Sequence, residues 1–120
     1  MENKEVPTVD TKTLIGQTYT TYEVDLTSKD LILYALSLGF NADHLKKDEY
    51  KFTYELSPDF TSFPTIPVVI AHRDFTAFTS TQGLPKFNPI MVLHGSEEVN
   101  IIKTIEAGKK YKVTEKIIDV

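Results

Sequence analysis

The chain contains no cysteine, which excludes disulfides, thiol catalysis and zinc–thiolate centres and fits a reducing compartment. Long apolar runs are also missing, and none approaches the roughly 20 residues that a membrane helix needs. The opening MENKEVPTVD has neither the apolar centre of a signal peptide nor the Arg-rich face of a transit peptide. The closing IIDV is not a peroxisomal S-K-L-type address. These absences lead to the expectation of a soluble intracellular protein with its organelle open. Positive charge is sparse. The formal net charge is -4, and the pairs Lys46-Lys47 and Lys109-Lys110 stand isolated, so a nucleic-acid partner, which requires clustered cations, is not expected.

Several chemical signatures are absent as well. The glycines form neither a phosphate loop nor a dinucleotide fingerprint, and no G-x-S-x-G marks a serine hydrolase. The three histidines lie far apart, without H-x-x-H, H-x-x-x-H or H-E-x-x-H spacing, so no metal site and no metal cofactor are expected. Repeats and low-complexity segments are lacking. What remains is ordinary globular composition, 41% hydrophobic and 25% charged, in 120 residues, enough for one domain with a single core.

Along the chain, residues 1–13 read as a loose, flexible arm and 14–120 as the domain. Thr27 opens a helix, with Asp30 completing a capping-box variant. Leu31, Tyr34, Ala35 and Leu38 fall on one stripe, and Gly39 is placed to end the helix. A polar loop follows from Phe40 to Glu49. Tyr50, Phe52, Tyr54 and Leu56 then alternate with polar residues, which predicts a half-buried strand. Ser57-Pro58-Asp59 reads as a turn. Pro67 suits the first turn of a helix over roughly 67–80, with a buried strand as the competing reading. The last third predicts a hairpin. One strand carries Val99, Ile101 and Ile105, the other Tyr111, Val113, Glu115 and Ile117, and the two are joined at Gly108. The sum is an α+β domain with an antiparallel sheet. The final strand would leave an apolar edge that a further segment or another chain must cover.

Three polar groupings invite a chemical reading. Asp43-His44 lies in a polar loop that gives no rigid support for a dyad. His72-Arg73-Asp74 reads as a solvated helix face. In M-V-L-H-G-S-E-E-V, residues 91–99, His94 resembles a general base beside Glu97 or Glu98, but strand alternation would keep both carboxylates from facing it together.

Four stretches taken in order carry more: I-G-Q-T-Y (15–19), D-L-I-L-Y-A-L-S-L-G (30–39), Y-K-F-T-Y-E-L-S-P-D-F-T-S-F-P-T (50–65) and V-L-H-G (92–95). Together they resemble the N-terminal half of the hydratase 2 branch of MaoC-like enzymes, over roughly residues 14–120. The resemblance implies a hot-dog fold, an antiparallel sheet wrapped around a helix. This chain would be the N-terminal, non-catalytic unit of a double hot dog, and an incomplete one. It implies (R)-specific hydration of a trans-2-enoyl-CoA in fatty-acid metabolism, reversible as 3-hydroxyacyl-CoA dehydration. The chemistry is expected in a partner half bearing G-D-x-N-P-x-H. That motif is missing here, and the nearest run, F-N-A-D-H, reverses its order and lacks the Gly and Pro. No catalytic residue is therefore assigned.

By position the resemblance implicates Phe60, Phe63, Pro64, Ile66, Val68, Val69 and Ile70 in lining an acyl tail, with His94 and Gly95 at the cleft wall. Two departures stand out. The family commonly reads L-H-G-E-Q where this chain has L-H-G-S-E-E, and its first unit normally continues past the hairpin. The implied partners are an acyl-CoA thioester as substrate, the catalytic half as a further segment or separate chain, and a dimeric or hetero-oligomeric assembly. No redox cofactor is implied, and the resemblance points to peroxisomes. A non-catalytic, hot-dog-derived lipid-binding or structural subunit is the competing expectation.

Overall fold

The structure, a computed structural model, describes residues 8–73 and 76–120. Its elements in chain order are α1 (Thr11–Leu14), β1 (Thr18–Leu26), α2 (Ser28–Ser37), α3 (Tyr50–Thr53), α4 (Ile66–Ala71) and β2 (Lys109–Lys116), with short 3-10 turns between them. The architecture is α+β, with one antiparallel sheet of two strands, β1 and β2. Two compact units are formed. One comprises Met1–Tyr22, Arg73–Glu97 and Thr114–Val120, and the other Glu23–His72 and Glu98–Val113. Both strands contribute residues to both units.

The second unit holds α2, the longest helix. Thr27 and Asp30 build the expected reciprocal cap: the Asp30 carboxylate accepts from the Thr27 N–H at 2.8 Å, and the Thr27 hydroxyl accepts from the Asp30 N–H at 3.3 Å. Gly39, at φ +92°, takes the left-handed conformation that stops the helix. Leu31 and Ala35 are buried and pack inward, while Leu38 is 47% exposed. The expected stripe therefore ends one turn early, because Leu38 sits at the C-cap rather than within the helix. Leu31, Leu26 and Ile66 form the core, flanked by Val24, Tyr34, Phe60 and Ile70.

Residues 50–56 are not a strand. Residues 47–49 make a 3-10 turn that runs into α3, and the Tyr54 N–H bonds back to the Tyr50 carbonyl at 2.9 Å. The alternation of Tyr50, Phe52 and Tyr54 also satisfies a short helix, since Tyr50 and Tyr54 are four apart. Packing decides between the two. Phe52 meets Phe40 at 4.9 Å and Phe63 at 5.4 Å between ring centroids, while Tyr54 and Leu56 are exposed. The turn at Ser57-Pro58-Asp59 forms as expected, closed by Phe60 N–H to the Ser57 carbonyl at 3.0 Å. Helix α4 has Pro67 in its first turn but stops at Ala71, with a separate 3-10 turn at Ala77–Ser80.

The late hairpin is corrected as well. Strand β2 forms where alternation placed it, but residues 98–106 contain no strand. Ile102 is 96% exposed, and β2 pairs along one edge with β1, an earlier part of the same chain. Gly108, at φ +72°, donates its N–H to the Leu26 carbonyl, placing the turn against the end of β1 instead of between two late strands.

In the first unit, α1 occupies positions that carry no periodic signal in the sequence. Asp10 caps it, accepting from the Thr13 N–H at 3.2 Å, and its own N–H binds the Gly83 carbonyl at 3.0 Å. Leu14 is fully buried there. Phe78 and Phe87 stack at 6.2 Å in the same unit.

Candidate binding cavity

The second unit contains an open cavity of about 250 Å³. Lys51 and Phe52 of α3 form one side, and Thr61, Ser62 and Pro64 come from the segment before α4. Pro67 of α4 and Ile101, Thr104 and Ile105 of the extended stretch complete the lining. The wall is mainly apolar. The local bonds explain how such distant residues meet. The Thr61 N–H bonds the Lys51 carbonyl at 2.8 Å, and the Ser62 hydroxyl donates to the Ile105 carbonyl at 2.7 Å. Ser62 is buried, so that hydroxyl spends its donor on fixing the extended stretch rather than on open space.

Of the residues that the sequence implicates, Pro64 lines this cavity. Phe63 stands behind it in the ring cluster, 4.9 Å from Phe40. Ile66 is in the core, and Phe60 and Ile70 pack against that core. Val69 is 57% exposed and faces away from it. His94 and Gly95, in the first unit, are exposed, and the space around a Cβ at Gly95 is open. His94 Nε2 lies 3.5 Å from a Glu97 carboxylate oxygen, an i,i+3 contact at the surface. Asp43 and His44 are exposed and do not pair: the Asp43 carboxylate accepts from the Leu45 N–H at 3.0 Å, and the His44 carbonyl from the Tyr50 phenol at 2.8 Å. Arg73 lies 5.8 Å above the Tyr22 ring, while Asp74 falls outside the described residues.

Sequence reasoning missed Lys51, Phe52 and the 101–105 stretch as lining. In a strand, Lys51 and Phe52 would project to opposite faces. In the helical turn both reach one cavity, with the Lys51 ammonium 5.0 Å from the centre of the Phe52 ring. The lining includes neither histidine nor carboxylate. It offers apolar contact, hydroxyls and one cation, a set suited to holding a ligand.

The first unit carries the most perturbed tyrosine. Burial first, then a hydrogen bond to Glu115 and its negative charge, push the Tyr19 phenol up to about 12. The same carboxylate and burial raise Tyr22 in the same direction.

The cavity is a mainly apolar site with hydroxyls and one lysine, set in an α+β domain. Its sequence agrees with the profile of the MFE-2 hydratase 2 N-terminal domain, which matches residues 24–120, and the chain belongs to that family. A probable enoyl-CoA hydratase 2 of Dictyostelium discoideum is 36% identical over 112 residues, covering 92% of this chain and 36% of that protein. The peroxisomal multifunctional enzyme type 2 of Mus musculus is 28% identical over 108 residues, covering 88% of this chain and 14% of that protein. A peroxisomal hydratase-dehydrogenase-epimerase of Saccharomyces cerevisiae is 37% identical over 71 residues, 59% of this chain and 7% of that protein. The chain thus spans little more than a third, or less, of the length of these relatives. No solved structure matches it. Among the described residues no helix is long and apolar enough to cross a membrane.

Proposed function

We propose that this chain is the acyl-binding, scaffold side of an (R)-specific 2-enoyl-CoA hydratase, equally a 3-hydroxyacyl-CoA dehydratase. It is read as a hot-dog unit of residues 14–120, behind an arm of residues 1–13, that works with a catalytic half carrying G-D-x-N-P-x-H on another segment or another chain. The observation that carries this reading is the cavity of about 250 Å³: apolar walls, and no histidine or carboxylate in its lining. Each methylene buried against such walls is worth about 0.8 kcal/mol, so a few suffice for selective capture of an acyl tail. Phe63 and Pro64 contribute directly or from behind, and the remaining implicated residues, Phe60, Ile66 and Ile70, support the wall through the core. Val69, His94 and Gly95 are left as surface positions beside other parts of the assembly. Relatives whose names place them in peroxisomes support a peroxisomal setting, and a catalytic half on another chain would make the assembly dimeric or hetero-oligomeric.

The test is calorimetric binding of decanoyl-CoA to the purified chain, paired with hydration of trans-2-decenoyl-CoA. Binding is expected, and hydration is not. Ile105→Trp, which fills the cavity, should abolish the contribution of the acyl tail while leaving the circular dichroism spectrum in place. Turnover by the chain alone overturns the division of labour. Hydration that appears only on adding a chain with G-D-x-N-P-x-H supports it. The lack of histidine and carboxylate in the cavity lining also suits a second reading, a lipid-binding or structural subunit without any catalytic partner. That reading gains if acyl binding is intact but no such chain restores turnover.

A further inference from the structure

Lys51 is the one charged side chain lining the acyl cavity. Its ammonium is held 5.0 Å from the centre of the Phe52 ring, itself part of the wall. Among the described residues no carboxylate pairs with it, although the chain carries a net negative charge. Its backbone is fixed too, by the 2.8 Å bond from the Thr61 N–H to its carbonyl. Thr61 and Thr104 add hydroxyls to the same lining. A purely hydrocarbon tail offers no partner to a cation and two hydroxyls.

Size narrows the occupant. At about 250 Å³ the cavity falls below the roughly 300 Å³ at which pockets for whole ligands begin, so it takes the end of a chain rather than a complete acyl-CoA. The group that meets Lys51 is then the far end of the acyl chain. Charge complementarity makes that end an anion.

We infer that the Lys51 cavity selects acyl groups whose far end carries a carboxylate, that is, dicarboxylic acyl thioesters of medium length. The inference rests on the acyl-binding reading above. Lys51 forms a charge-assisted hydrogen bond to the terminal carboxylate, Thr61 and Thr104 supply further donors, and Phe52, Pro67 and Ile105 pack the last methylenes. The phosphates of CoA are the other source of negative charge that Lys51 could meet, and the experiment separates the two.

Binding of CoA, decanoyl-CoA and decanedioyl-CoA is measured by calorimetry on the full chain and on Lys51→Met and Lys51→Arg. The full chain is expected to bind decanedioyl-CoA roughly tenfold more tightly than decanoyl-CoA, the scale of one charge-assisted bond. Lys51→Met should erase that preference by weakening decanedioyl-CoA more than decanoyl-CoA, and Lys51→Arg should keep most of it. Equal affinity for the two acyl-CoAs, both tighter than CoA, overturns this inference and leaves the acyl reading standing. A preference that survives Lys51→Met overturns it as well, as does an equal loss of all three ligands, which would assign Lys51 to the phosphates. Decanoyl-CoA binding no more tightly than CoA overturns the acyl reading itself.

Discussion

The phenol of Tyr34 and the hydroxyl of Thr65 lie 2.8 Å apart, joining the middle of α2 to the residue that caps α4. This single bond ties the capped helix to the segment that supplies the cavity wall. Removing either partner leaves a half-buried hydroxyl without its mate. Tyr34→Phe and Thr65→Val should each cost about 1 kcal/mol, and the double variant little more than one of them. A urea-denaturation cycle measures the coupling. Fully additive losses would mean that the two groups do not interact in solution.

The cap of α2 should give the chain part of its acid sensitivity. The Thr27 hydroxyl, and then its backbone N–H, hold the Asp30 carboxyl below its ordinary 3.8. A carboxyl with a lowered folded value stabilises the fold above its unfolded value, and the contribution disappears as pH falls through the folded one. Stability should therefore drop as pH passes below about 3.8, and Asp30→Asn should remove that part of the slope. Thr27→Ala should cost about 1 kcal/mol near neutrality by stripping the N-cap. Urea midpoints across the acid range check both, and an Asp30→Asn profile parallel to that of the parent chain would contradict the cap's share.

The alkaline side should show the opposite sign. Tyr19 is raised from 10.0 to about 12 by burial and by the Glu115 carboxylate. Below pH 10 both folded and unfolded chains hold the proton; between 10 and about 12 the unfolded chain releases it first, so stability falls over that window. Tyr19→Phe should flatten the decline. Tyrosinate absorbance should show the Tyr19 signal returning on Glu115→Gln toward the ordinary tyrosine range, because both the charge and the acceptor strength diminish. Unchanged titration in that variant would separate Tyr19 from Glu115.

Local signals in the sequence were enough for α2, because Thr27, Asp30 and Gly39 each act within a few residues. The alternation of Tyr111, Val113, Glu115 and Ile117 likewise located β2. Its partner was hidden, since pairing is non-local and Gly108 offers turn chemistry to whichever strand comes next in space. Strand β1 escaped notice for a compositional reason: Thr18, Thr20 and Thr21 blur the apolar alternation that Tyr22, Val24 and Leu26 continue. The cavity was only partly legible. Pro64 lay within the implicated segment, but the Lys51–Ile105 side depends on α3 being helical, and a period of two over Tyr50–Leu56 concealed that.

The core of the second unit is small, so it should be sensitive to truncation. Leu31 is 1% exposed and meets Leu26 and Ile66. Leu31→Ala should cost about 2–5 kcal/mol, a large share of what a domain of this size has to spare. Leu33→Ala, on the same helix but 55% exposed, should change stability by less than about 0.5 kcal/mol. Comparable losses for the two would place the buried face of α2 elsewhere.

Two glycines of like backbone conformation separate strain from contact in the first unit. Gly16 and Gly83 have φ of +92° and +99°, so a side chain at either meets the left-handed penalty of about 1–2 kcal/mol. Their surroundings differ. A Cβ at Gly16 meets open space, whereas one at Gly83 would lie 3.0 Å from Leu14 Cγ and 3.2 Å from the Asp10 carbonyl oxygen. Leu14 is fully buried and cannot yield without disturbing its packing, and the Gly83 carbonyl also anchors the Asp10 N–H. Gly83→Ala should therefore lose the conformational cost plus an overpacking cost of about 1–3 kcal/mol, and Gly16→Ala the conformational cost alone. The difference between their urea midpoints reads the contact directly. If the two variants lose the same stability, Leu14 is not seated against the Gly83 turn, and the anchoring of α1 to that turn fails with it.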